Sequence, residues 1–143
     1  MNEATDFDPI ATYELVLKPR KRERMVITAL LGRPQRIEEG YWVCYYQIAP
    51  LDKPRSIGGD NAMQALQLGL YIVGVELCLC FIRYRVKPSQ KDLACIALSF
   101  GVDVEKYFPE QGAKVKAWLA EPWEEKPESK KARTTKTEPF SSQ

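Results

Sequence analysis

The chain has 143 residues, of which 45% are hydrophobic and 28% charged, and its formal net charge is +2. This composition is typical of a single globular domain large enough to bury a core, and so small a charge does not by itself predict nucleic-acid binding. The sequence contains no histidine, which excludes Ser-His and Cys-His nucleophile activation and metal motifs of the HExxH type.

The two ends of the chain are expected to lie outside the fold. The first ten residues, MNEATDFDPI, lack the basic and apolar regions of a secretory signal. From residue 121 the sequence is rich in Pro, Lys, Glu, Ser and Thr, and it has too few apolar residues to offset the entropy of ordering. We therefore predict a flexible leader over residues 1–10, one domain over 11–120 and a disordered tail over 121–143.

Alternating apolar and polar residues predict a sheet in the first half of the domain. Strands are expected at residues 11–18, 25–31 and 41–49, with a shorter one at 55–58, and their short links favour an antiparallel meander. The segment 32–40 contains a proline and two glutamates, so it is expected to be an exposed loop.

A long apolar helix is predicted next, from about residue 61 to 84, with Asp60 as its N-cap. Two apolar stripes run along it, which indicates burial on more than one side. Its apolar length would also suffice to cross a bilayer. Gln64, Gln67 and Glu76 lie in its interior, however, and such side chains are costly in a membrane. We therefore expect no membrane association.

Two shorter helices are expected after the long one, at 89–101 and 109–120. Ser89 and Gly101 supply the N-cap and C-cap signals of the first. The predicted fold class is therefore α+β: a three- to four-stranded antiparallel β-meander, then a long buried helix and two short C-terminal helices.

The four cysteines, Cys44, Cys78, Cys80 and Cys95, lie in apolar segments. Buried free thiols in a reducing cytoplasm explain them better than disulfides do. Cys78 and Cys80 are two residues apart on a helix, where their side chains point about 200° apart and could not hold one metal ion. No metal or other cofactor is expected.

The strand at 41–49 suggests a protein-binding surface. Trp42, Cys44, Tyr46 and Ile48 share the face expected under the helix, and the alternate residues share the other. Aromatic side chains on an open sheet face are typical anchors for a partner, although Trp123 or Phe140 of the tail could equally cover them. The candidate protein-binding residues on this outer face and in the preceding loop are Tyr41, Val43, Tyr45, Arg33, Arg36, Glu38 and Glu39.

A basic turn between the first two strands provides a second candidate surface. It could bind a nucleic-acid backbone or an acidic partner, and it could equally be a solvated hairpin turn. Its candidate nucleic-acid-binding residues are Lys18, Arg20, Lys21, Arg22 and Arg24.

Three motifs resemble those of a bacterial family known as domain of unknown function 6968. They are Leu31-Gly32-Arg33-Pro34, Tyr41-Trp42-x-Cys44-x-Tyr46-x-Ile48 and Gly59-Asp60-x-Ala62-x-Gln64-Ala65-Leu66-x-Leu68. The resemblance covers about residues 14–79. It implies a β-meander followed by a long helix in a cytoplasmic bacterial protein, and it brings no catalytic residues. The chain departs from the family pattern at Val43 and Tyr45 and adds residues 87–143.

These observations favour a non-enzymatic protein-binding domain. Among protein-binding roles, that of a bacterial immunity protein, which neutralises a cognate toxin by stoichiometric binding, fits best. The first alternative is a nucleic-acid-associated or regulatory accessory protein that uses the basic turn. The second alternative is a small enzyme of unfamiliar type. The sequence does not predict an oligomeric state.

Overall fold

The computed structural model describes residues 8–122. Most of the expected leader and tail, with Trp123 and Phe140, therefore lies outside the described residues. The described part has the α+β architecture that the sequence predicts, with an antiparallel sheet followed by helices.

Five antiparallel strands form the sheet. They are β1 (Pro9–Leu17), β2 (Met25–Gly32), β3 (Gln35–Glu38), β4 (Tyr41–Ala49) and β5 (Arg55–Gly59). β1 pairs with β2, while β2, β3 and β5 all pair with β4. All four expected strands are present, with ends within two residues of the prediction.

The fifth strand, β3, corrects the prediction of a loop at residues 32–40. Leu31 of β2 pairs with Tyr46, and Gln35 of β3 pairs with Val43. β5 pairs with the same two residues of β4, so β2 and β3 share the opposite edge of β4 and follow one another along it. Leu31 and Gln35 are four residues apart, whereas their partners on β4, Tyr46 and Val43, are three apart. The extra residue forms a bulge at the bend that contains Pro34. A proline suits such a bulge because it has no N–H to donate to the ladder.

Four helices follow the sheet: α1 (Ala62–Arg83), α2 (Gln90–Phe100), α3 (Val104–Tyr107) and α4 (Pro109–Ala120). Ser89 caps the start of α2, and Gly101, with φ of 69°, caps its end, as predicted. α4 has the predicted bounds. The single turn of α3, capped by Asp103, was not predicted, since four residues are too few to show a helical period.

The N-cap of α1 is Asn61 and not Asp60. Asn61 Oδ1 accepts a hydrogen bond from the backbone N–H of Gln64 at 2.8 Å. Gln64 Oε1 in turn accepts one from the N–H of Asp60 at 2.6 Å. Asn and Asp are equally good N-caps, so residue preference could not choose between these neighbours.

α1 packs between the sheet and α2. On one side it approaches β4 so closely that a Cβ added at Gly69 would lie 2.9 Å from Cys44 Sγ. On another side, a Cβ at Gly74 would lie 2.5 Å from the Cβ of Phe100, the last residue of α2. The side chains between these two contacts belong to one core, whose largest members are Phe81, Leu17, Ile27, Ile48, Leu77, Leu93, Ile96, Val73 and Val115.

α1 is buried on two sides, as predicted, but the apolar residues on its remaining side face solvent. Leu68, Tyr71, Leu79 and Ile82 are exposed, the last at 49%. By length and composition α1 could cross a membrane, and 44% of its most apolar window is buried inside the fold. Its second apolar stripe therefore faces outward.

Candidate functional site

The outer face of β4 is less open than the sequence suggested. The register places Tyr41, Val43, Tyr45 and Gln47 on the face away from α1, as the alternation predicts, because Cys44 on the opposite face contacts α1. Tyr41 is 44% exposed and Tyr45 is half-buried. These two tyrosines retain accessible surface.

Val43, predicted to be an exposed binding residue, is only 5% exposed. It lies in the middle of the sheet, with Gln35 on one side and Gly58 on the other. The ring of Tyr41 lies over Gly58, where an added Cβ would be 3.0 Å from Tyr41 Cε2. The strand's alternation gives the face of a residue correctly but not the neighbours that cover it. Val43 therefore supports the sheet and offers no surface to a partner.

The four charged candidates near this face are all exposed. Glu38 pairs in register with Tyr41, so these two residues lie side by side. Arg36 pairs instead with Trp42 and belongs to the other face. Sequence reasoning missed Ile37, which is 54% exposed, because it assigned this segment to a loop. Of the predicted protein-binding residues on this face, Tyr41, Tyr45 and Glu38 keep accessible surface. The exposed Ile37 precedes Glu38 in the chain, and Arg33 and Glu39 lie nearby in sequence.

The second candidate surface lies at the opposite end of the sheet, where the basic turn meets the end of α1. A groove of about 1040 Å³ separates residues 18–22 from residues 83–87. We call it the basic groove. Seven basic residues line it: Lys18, Arg20, Lys21, Arg22, Arg83, Arg85 and Lys87.

Four of the five residues predicted for nucleic-acid binding line the basic groove, and Arg24 does not. The sequence did not predict Arg83, Arg85 and Lys87 as their neighbours. The available signal was the alternation of these three cations at the end of the helix and just after it. Their approach to the turn depends on packing between segments about sixty residues apart, which the local pattern does not contain.

Tyr84 lines the basic groove beside two of its arginines. The guanidinium carbon of Arg22 is 5.7 Å from the centroid of its ring, and that of Arg83 is 5.4 Å away. Such distances are typical of cation–π contacts. The half-buried ring thereby joins the basic turn to the end of α1.

Arg85 adopts a left-handed backbone conformation, with φ of 56°. It follows Tyr84, the C-cap of α1, at the position where helices usually have glycine. The next residue closes the turn, since the Val86 N–H donates to the Phe81 carbonyl oxygen at 2.9 Å. A side chain other than glycine at such a position is unfavourable by about 1–2 kcal/mol. Arg85 occupies this position and lines the groove.

The charges of the basic groove are not neutralised by the described residues. Within 8–122, none of its seven cations forms an ion pair with a carboxylate, whereas Arg55 pairs with Asp52 and Glu76. Clustered like charges repel one another, and they create a positive potential that attracts anions. Lys87 also lines an adjoining cavity of about 430 Å³, which continues to Lys114 of α4. The positive surface therefore extends from the β1–β2 turn to α4.

The paired cysteines of α1 are protonated thiols. Burial raises the pKa of Cys78 to about 11, with the neighbouring Cys80 as a smaller cause. Burial likewise raises the pKa of Cys80 to about 11, with Glu76 as a smaller cause. In residues 8–122 no three His, Cys, Asp or Glu side chains are grouped so that they could hold a metal ion.

Comparison with known proteins identifies the family. The model of a family described as domain of unknown function (DUF6968) matches residues 11–82, about half of the chain. The chain belongs to the DUF6968 family. No curated protein and no solved structure matches it. In this DUF6968 protein the match covers the sheet and nearly all of α1, so the basic turn lies inside it and Arg83, Arg85 and Lys87 lie just beyond it.

Proposed function

We propose that this DUF6968 protein is a non-enzymatic nucleic-acid-binding protein, which holds a phosphate backbone in the basic groove. The observation that carries the proposal is the convergence of seven cations from two distant segments on one concave surface without a carboxylate partner among the described residues. Phosphate contacts dominate the affinity of proteins for nucleic acids. We place the protein in the cytoplasm, and its four free cysteines support this compartment.

The groove suits backbone contacts better than base recognition. The ring of its aromatic residue, Tyr84, is already in contact with the guanidinium groups of Arg22 and Arg83. Base recognition generally needs free aromatic faces or side chains that reach base edges. Binding should therefore depend strongly on salt and weakly on sequence. A protein that contacts Z phosphates has a slope of about −0.9Z for duplex DNA, and about −0.7Z for single strands, in a plot of log K against log salt.

The test is fluorescence anisotropy with labelled single-stranded and duplex oligonucleotides over a range of salt concentrations. Arg22→Glu should weaken binding at least about tenfold and make the salt slope shallower by about 1–2. Arg24→Glu is the matched control, because it makes the same charge change in the same turn but outside the groove. Its effect should be several-fold smaller. Equal losses in the two variants would mean that general charge, and not the groove, attracts the oligonucleotide.

As a second candidate, we propose that the outer sheet face binds a protein partner and that the protein is a bacterial immunity protein for a cognate toxin. The supporting observation is that Tyr41 and Ile37 are exposed on the β3–β4 edge of the sheet, while the helices pack on the inner face. Tyr41 is a better anchor than Tyr45, which is half-buried. Large exposed aromatic residues frequently dominate binding energies.

This second candidate is tested by protection of cells from a toxin encoded beside the gene. Tyr41→Ala should weaken binding of a purified toxin by more than about 1 kcal/mol without unfolding the protein. The control is Leu98→Ala, which removes an even more exposed apolar side chain, from α2. Protection that is unaffected by Tyr41→Ala but lost in Arg22→Glu would assign the toxin to the basic groove instead.

A further inference from the structure

The solvent side of α1 carries a regular apolar stripe. Leu68, Ile72, Val75, Leu79 and Ile82 are separated by four, three, four and three residues, which is the spacing of a coiled-coil seam. At 100° per residue they lie within an arc of about 80° on the helix surface. Leu68, Leu79 and Ile82 are exposed, and Ile72 and Val75 are half-buried. We call these five residues the α1 stripe.

An exposed stripe of this kind is unusual on a helix that already packs on the sheet. The solvent side of such a helix normally carries polar residues, and contiguous exposed apolar surface commonly marks an interaction site. The polar residues of α1 lie at the edges of the stripe. Among them, Glu76 pairs with Arg55 of β5 at 3.6 Å, so the charge on this edge is already balanced within the chain.

We propose that the α1 stripe is the interface with a second copy of this chain, in which two α1 helices pack antiparallel about a twofold axis at Val75. The spacing of the stripe is four-three-four-three in one direction and three-four-three-four in the other, so the two directions match to within one residue. In this arrangement Val75 faces itself and Leu68 faces Ile82 of the second copy. Ile72 and Leu79 lie three and four residues from Val75, so they face each other to within one residue. Such self-complementarity is what a twofold interface between identical chains requires.

Charge favours the antiparallel orientation. The C-terminal end of α1 carries Arg83 and Arg85, while the start of the helix carries Asp60 and no cation. Antiparallel packing directs each basic end toward the acidic start of the other copy, with Arg83 opposite Gln67, and it also opposes the two helix dipoles. Parallel packing would place the two basic ends together. A bilayer would have to accept the Arg55–Glu76 pair at the edge of the stripe, which is costly.

The area of the stripe implies a weak dimer. Together with Tyr71, its exposed side chains present on the order of 400 Å² of apolar surface per copy. With the flanking Gln64 and Arg83, a pair of copies would bury on the order of 1,000 Å², near the lower limit for a specific interface. The dissociation constant should therefore lie in the micromolar range.

Sedimentation equilibrium on the full chain, over protein concentrations from about 1 μM to 1 mM, tests the proposal. The wild type should pass from monomer to dimer. Val75→Glu would place two carboxylates opposite each other, and Leu79→Glu would place one opposite Ile72; each should raise the dissociation constant at least thirtyfold. Met63→Glu adds the same charge at an exposed position of α1 outside the stripe and should dimerise like the wild type. Circular dichroism checks that each variant is folded.

Cysteine cross-linking tests the orientation, in a background in which Cys95 is replaced by serine. Under mild oxidation Val75→Cys should cross-link to itself. Leu68→Cys should cross-link to Ile82→Cys when the two variants are mixed, and neither should cross-link to itself. A wild type that stays monomeric to 1 mM overturns the proposal, and self-linked Leu68→Cys overturns the antiparallel arrangement. Binding of the wild type to lipid vesicles, with loss of that binding in Val75→Glu, would assign the stripe to a membrane.

Discussion

The inner and outer sides of α1 have similar amino acids and very different surroundings. The inner side contributes Val73, Leu77 and Phe81 to the core, whereas Leu79 and Ile82 on the outer side face solvent. The inner side also carries Gly69 and Gly74, where the sheet and α2 approach the helix backbone. Hydrophobicity therefore does not decide which side of this helix is buried. Close approach at small residues does, because it allows the neighbouring layers to enclose the side chains between them.

The largest expected effect is the loss of a core side chain from the inner side. Leu77→Ala should lower the free energy of unfolding by about 2–5 kcal/mol, since Leu77 is fully buried and a cavity would remain. Leu79→Ala removes the same atoms two residues later on the outer side, where Leu79 is 40% exposed, and should cost less than about 1 kcal/mol. Denaturation in urea measures both. Equal losses would contradict the assignment of the two sides.

The buried thiols of the inner side should each give a smaller effect than the loss of Leu77, and this effect appears at alkaline pH. Burial raises the pKa of Cys78 and of Cys80 from 9.0 to about 11. Between these pH values the unfolded chain releases thiol protons that the folded chain retains, so the free energy of unfolding falls as pH rises. The loss at pH 11 should be about 2–3 kcal/mol for each thiol.

Urea denaturation from pH 8 to 11 measures this effect. The control is the double variant Cys78→Ala, Cys80→Ala, which is expected to start from a lower stability because two buried side chains are shortened. Its free energy of unfolding should decline less steeply over the same range, because it has no thiols to titrate at these positions. Parallel curves for the two proteins would mean that the thiols are not responsible.

The sequence predicted the elements of this fold well, since periodicity and capping are local signals. The bounds of β4 and α4 agree fully with the prediction, and Ser89 and Gly101 cap α2 as expected. β3 was missed because Pro34 suggested a loop, and a bulge that tolerates proline becomes visible only with its partner strand. Local patterns thus identify the elements but not the irregular pairing between them.

The candidate site was predicted only in part, for a similar reason. The basic turn was recognised, but its approach to Arg83 and Arg85 depends on where α1 ends relative to the sheet. Val43 was assigned to the correct face and to the wrong environment, because Tyr41 reaches across the neighbouring strand beside it. Proximity between distant segments comes from packing, which the local pattern of a sequence does not contain.

A small residue on the inner side gives a smaller but more specific test of the comparison. Gly74→Ala would normally stabilise a helix by about 0.5–1 kcal/mol. Here the new Cβ would collide with Phe100 and Val102, and we expect a net loss of about 1–3 kcal/mol. Gln67→Ala, at an exposed position of the same helix, should change the stability by only a few tenths of a kcal/mol. Stabilisation by Gly74→Ala would contradict the close packing of α1 on Phe100 and Val102.

The smallest expected effect concerns the outer side and depends on protein concentration. Ile82 is 49% exposed, so Ile82→Gln should change the stability of the monomer by no more than about 0.5 kcal/mol. At low micromolar concentration the wild type and the variant should therefore melt together. At several hundred micromolar, dimerisation through the α1 stripe would stabilise only the wild type, because association with the folded chain raises its melting temperature. Differential scanning calorimetry at both concentrations separates the two contributions. A large loss at low concentration would mean that Ile82 belongs to the core. Identical melting at both concentrations would mean that the outer side of α1 has no partner copy.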